Sequence, residues 1–235
     1  MGRSPFYYDA IYWILLIPVL ILSFYAQVKV SSTFKRYSSQ PNRRQITGSQ
    51  AAYEVLRANG VSNVQIRPCQ GSLTDHYDPR DNTIYLSEPV YNAGTVAAVG
   101  VAAHEAGHAV QYAMGYGPIR IRTFIIPATQ FGSKFAFIAL MLGLVLYSQP
   151  LFAFGIILFS LTTLFQLVTL PVEFNASARA LSTINNAYLL DDEERKGAKK
   201  VLTAAALTYV AALLMSMVQL LRYLLIFAGR DNRRR

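Results

Sequence analysis

Cysteine is all but missing from this chain: Cys69 stands alone, which excludes an intramolecular disulfide and any cysteine-rich metal site. Histidine is scarce, with three residues, and acidic side chains are outnumbered, 13 against 22 lysines and arginines, for a net charge of +9. Such a basic balance raises nucleic acid as a partner. The arginines and lysines flank apolar runs, however, and no basic patch interleaved with aromatics is present, so a nucleic-acid function is not expected. Asp75, Asp78 and Asp81 have neither the spacing nor the glycine of a calcium loop and read as part of a hairpin turn. No internal repeat occurs, and the only low-complexity segment is the arginine tail.

Charge is also absent from long stretches, and this sets the class of the protein. Ile11 to Val28 carries none and is long enough to cross a bilayer, with Tyr7, Tyr8, Tyr12 and Trp13 placed as interfacial aromatics. It lacks a clear small-x-small cleavage site, so an uncleaved anchor is expected in place of a signal peptide. Phe135 to Val172 is uncharged throughout, although one span needs only about 20 residues. Its break at Ser148-Gln149-Pro150 divides it into two helices of a hairpin. Val201 to Leu221 is a further uncharged run, extended past Arg222 by Tyr223 to Ala228. About four transmembrane helices in a multipass protein are therefore expected.

Between and after these spans the pattern changes. Ser31 to Arg44 reads as a juxtamembrane linker. Thr47-Gly48-Ser49-Gln50 starts a helix that ends near Asn59-Gly60. Three β-like runs follow, Val64 to Arg67, Ser72 to Tyr77 and Thr83 to Ser87, with a polar turn over Asp78 to Asn82. Glu173 to Ile184 reads as a helix, and Asp191 with Glu194 forms a capping box for the last one. The expected organisation is an anchor helix (1–30), a zincin-like α+β region (31–130), a transmembrane hairpin (131–172), a helix and loop (173–200), and a final transmembrane helix with a basic tail (201–235).

Two of the three histidines fall in His104-Glu105-Ala106-Gly107-His108. Residues four apart share a helix face, so both imidazoles can reach one metal ion with Glu105 beside it. Zinc held this way lowers the pKa of water on it to about 7, and an adjacent carboxylate can take that proton. The expected chemistry is amide hydrolysis, with Zn2+ as cofactor and Glu105 as general base. A catalytic zinc normally takes three protein ligands. No histidine follows His108, so a carboxylate is needed. Glu173, returned to the same side by two crossings, is the best candidate, against a reading as an interfacial charge at a helix end. His76 is a rival ligand, or a substrate-side residue on an edge strand that pairs with extended substrate. Arg179 or Tyr209 could supply the oxyanion donor.

Longer blocks carry a resemblance. Leu73 to Pro79, Val99 to Glu105, Phe165 to Ser177, Gly197 to Leu202 and Ala204 to Ala212 resemble the putative neutral zinc metallopeptidase family of bacterial multipass membrane proteins, the YugP-like proteins. The likeness covers nearly the whole chain except its extreme tails. It implies a gluzincin-type site with Glu173 as third ligand, and distant kinship with CAAX prenyl protease and HtpX-type membrane peptidases. Those relatives carry an aspartate shortly after the ligand glutamate, at the position that Ser177 holds here. Asn175 offers a side-chain carbonyl that could orient a histidine.

The expected partners are a protein or peptide substrate, membrane-associated, and the lipid bilayer itself. Cleavage within the bilayer by a site-2-type enzyme would want an aspartate ligand in a span, and the uncharged spans hold none. A membrane scaffold or assembly factor with a structural metal is the non-catalytic alternative, although such a site has no need of Glu105. Lys29, Lys35, Arg36, Arg43, Arg44, Arg120, Arg122 and a further group from Arg179 to Lys200 are expected on the side of the His104 segment, and Arg3, Arg230 and Arg233 to Arg235 opposite. The positive-inside rule then places the active site at the cytoplasmic face of a bacterial cell membrane, with both termini outside.

Overall fold

The computed structural model describes residues 5–231, with side chains from Tyr12 to Gly229. Arg3, Arg233, Arg234, Arg235 and the side chains of Tyr7, Tyr8 and Arg230 lie outside the described residues. The chain is mostly helical with one small sheet, and it divides into two units that are interleaved in sequence. One comprises residues up to Tyr25, Ile121–Thr169 and those from Tyr209 on; the other comprises Ala26–Arg120 and Leu170–Thr208.

Four helices are long and apolar enough to cross a membrane: α1 (Pro5–Ser38), α5 (Gly117–Val145), α6 (Gln149–Asn186) and α7 (Asp192–Asp231). The hairpin turn falls at Leu146 to Ser148, as Ser148-Gln149-Pro150 predicts. Three boundaries differ from the sequence reading. Helix α1 continues to Ser38 through most of the expected linker, α6 runs unbroken past Glu173, and α7 begins well before Val201. Pro171 is accommodated inside α6, where it removes one N–H from the ladder without ending the helix.

In the membrane unit, Leu140, Phe152 and Ile156 are buried against Leu144, Leu220, Tyr223, Ile226 and Phe227. Glycine permits the close approach of α5 and α6, since a Cβ on Gly155 would stand 2.7 Å from the Leu140 side chain. Tyr12 donates to Gln219 Oε1 at 3.0 Å, and its ring carries the Arg222 guanidinium at 4.2 Å. Ile14, Ile21, Phe24, Phe124, Phe137 and Val145 point outward, as side chains facing lipid do.

The other unit is built around α4 (Val96–Ala113), an alanine-rich helix buried along most of its length. Packed with it are α2 (Gly48–Ala58), the single turn α3 (Glu88–Tyr91) and a sheet of β1 (Gln65–Cys69), β3 (Thr83–Ser87) and β2 (His76–Asp78) in that order. Strand β1 is parallel to β3, and β2 is antiparallel to it, with His76 opposite Tyr85 and Asp78 opposite Thr83. Both capping boxes form: Thr47 with Gln50, and Asp191 with Glu194, each exchanging backbone and side-chain bonds. Ala52, Val55, Ile84, Leu86, Val90, Val99 and Val110 are fully buried in one core.

Candidate metal centre

Helix α4 presents His104 and His108 on one face, and α6 presents Glu173 to them. Glu173 Oε2 lies 3.2 Å from His104 Nε2 and 3.5 Å from His108 Nε2. These donor atoms all lie within 4.8 Å of one another, the only such cluster found among the described residues. Zinc bound tetrahedrally at about 2.0–2.1 Å would hold its donors roughly 3.3–3.4 Å apart, so the donor types and the two distances to Glu173 fit zinc. The site is largely buried: the side chains are 14%, 11% and 3% exposed for His104, His108 and Glu173. Burial alone lowers the pKa of His108, but the hydrogen bond and charge of Glu173 outweigh it and raise the imidazole above its ordinary value.

Close packing of two helices makes this convergence possible. A Cβ on Gly107 would stand 2.7 Å from the Ala176 carbonyl oxygen, so glycine lets α4 reach the backbone of α6 between the two ligand-bearing faces. Glu105, half-buried, follows His104 directly.

Around the donors lies a shell of hydrogen bonds. Ser177 Oγ is 3.1 Å from His104 Nδ1, and Gln111 Oε1 is 3.1 Å from His108 Nδ1. Gln111 Nε2 donates to the Val172 carbonyl at 2.8 Å and to Asn175 Oδ1 at 3.0 Å. Asn175 Oδ1 also accepts from Arg179 Nε at 2.8 Å. Asn175 thus stands one bond further from His108 than the sequence suggests, with Gln111 between them. Gln111 escapes sequence reasoning, and Ser177 enters it only as the residue at the relatives' aspartate position, although each has a signal: one turn beyond His108 and one turn beyond Glu173, on the faces those ligands share.

The remaining predicted residues are more scattered. His76 is exposed on β2, stacked on Tyr85 with ring centroids 5.1 Å apart, and is not part of the donor cluster. Its neighbour Asp75 turns inward and accepts from Ser87 N at 2.8 Å and Ser87 Oγ at 3.0 Å. Burial raises the Asp75 carboxyl above its ordinary range despite those bonds. Arg179 belongs to the same unit as the donors, with Nη1 against Met114 Sδ, whereas Tyr209 belongs to the membrane unit on α7.

Residues 12–228 match the family described as "putative neutral zinc metallopeptidase". The chain is 47% identical over 219 residues to a protein of Bacillus subtilis (strain 168) named "putative membrane protease YugP", covering 93% of this chain and 97% of that relative. No solved structure matches.

Proposed function

Because the chain belongs to the neutral zinc metallopeptidase family, we propose that it is a membrane-embedded zinc endopeptidase of gluzincin type. The observation that carries this reading is the convergence of His104 Nε2, His108 Nε2 and Glu173 Oε2 in a largely buried site whose donors suit zinc. His104, His108 and Glu173 would hold zinc, which would supply a Lewis acid to polarise the scissile carbonyl and ease deprotonation of water. Glu105 takes the proton from that water and later delivers it to the departing amine. Arg179, anchored through Nε on Asn175, donates to the oxyanion as the carbonyl becomes tetrahedral.

Strand β2 ends the sheet order on one side, and an extended substrate segment adds to that edge, with His76 on the substrate side. The substrates are membrane-associated proteins or peptides, cut at the cytoplasmic face of a bacterial membrane as the distribution of lysine and arginine indicates.

Zinc content and cleavage by wild type and Glu105→Gln test the reading together. One zinc in both proteins, with cleavage of membrane-protein substrates by the wild type alone, is the expected result. Zinc in both without cleavage by either would favour a scaffold holding a structural metal. Full activity in Glu105→Gln would overturn the proposed mechanism.

A further inference from the structure

The hydrogen bonds around Gln111 leave it no alternative orientation. Arg179 Nε can only donate, so the Asn175 atom 2.8 Å away is the carbonyl Oδ1. The Gln111 atom 3.0 Å from that oxygen must then be a donor, Nε2. The Val172 carbonyl, 2.8 Å from the same nitrogen, demands a donor independently. Both amide hydrogens are therefore spent, and Oε1 is the atom that faces His108 Nδ1 at 3.1 Å. An amide oxygen only accepts, so Nδ1 must carry the proton. In the neutral ring the lone pair is then on Nε2, 3.5 Å from Glu173 Oε2 and the nitrogen open to a metal ion.

His104 is held differently. Ser177 Oγ, its partner at Nδ1, both donates and accepts, and so permits either tautomer. Gln111 is itself fully buried and tied to two points of α6, Val172 and Asn175, so it cannot rotate without breaking both bonds.

We infer that Gln111 is a positioning residue that fixes His108 in the Nδ1–H tautomer and presents its Nε2 as a preformed metal donor. This rests on the zinc reading above for its purpose, but the tautomer is measurable without metal. With three histidines in the chain, 15N-histidine labelling of the full-length, metal-free protein in detergent resolves each ring, and His108→Ala assigns the signal. At a pH where imidazole is neutral, His108 is expected as Nδ1–H in wild type. Gln111→Met, of similar length but without acceptor or donor, is expected to lose that preference. Its zinc affinity should fall about 10–100-fold, the usual consequence of losing an outer-shell partner.

The Nε2–H form at His108 in wild type would overturn the assignment whether or not Gln111→Met folds. Equal zinc affinity in wild type and a folded Gln111→Met would overturn it as well. No zinc in the wild type would instead overturn the metal reading itself.

Discussion

Ser177 Oγ lies 3.1 Å from His104 Nδ1, one helical turn beyond Glu173 on α6, so one helix face both supplies a donor and orients another. Ser177→Ala removes the orienting hydroxyl and leaves the donors in place. Zinc affinity measured by competition with a chelator should fall about 10–100-fold. An unchanged dissociation constant would show that Ser177 has no part in holding His104.

Glu173→Gln keeps the shape of the side chain and removes its charge. The variant should emerge from dialysis with no zinc by mass spectrometry, whereas Glu105→Gln retains one per chain. Retention of zinc without the Glu173 carboxylate would move the third ligand to His76 or an aspartate beside it.

Gly107→Ala places a methyl group against the Ala176 carbonyl oxygen, a backbone atom that cannot swing away. Overpacking of this kind costs about 1–3 kcal/mol. The clash also pushes α4 from α6, so zinc affinity and thermal stability should fall together. Gly117→Ala, with open space around its Cβ, serves as the control and should change neither.

Asp75 gives a pH dependence with a definite sign. Its pKa is raised in the folded protein, so between the unfolded value of about 3.9 and the raised value the folded state binds more protons. The stabilisation associated with this carboxyl is present below the unfolded pKa and is lost as pH rises through the folded one. Asp75→Asn retains an acceptor for Ser87 without a charge. Its melting temperature relative to wild type should therefore climb from pH 4 to pH 7, and a flat difference would contradict the burial argument.

Local chemistry was legible from the sequence where it suffices. Thr47 with Gln50 and Asp191 with Glu194 mark helix starts because capping needs only residues three apart. The spacing of His104 and His108 places them on one face by helix geometry alone. Strand β3 matches its predicted run, whereas β2 keeps only His76 and Tyr77 of its run and adds Asp78 from the predicted turn, since Asp75 leaves the ladder to bond Ser87. The continuity of α6 was hidden by Pro171 and Glu173, which look like a helix end but are tolerated where the carboxylate meets two histidines. Gln111 could not be singled out, because its role depends on Val172 and Asn175, more than 60 positions away.

His104 and His108 precede the α5–α6 hairpin in the chain, and Glu173 comes after its turn, near the far end of α6. A ribosome adding about 5–20 residues each second delivers the two imidazoles several seconds before the carboxylate. The donor set is thus completed only in a chain whose hairpin has already been synthesised. A polypeptide released early carries two histidines with no acidic partner, so the order of translation itself withholds the assembled centre from unfinished copies.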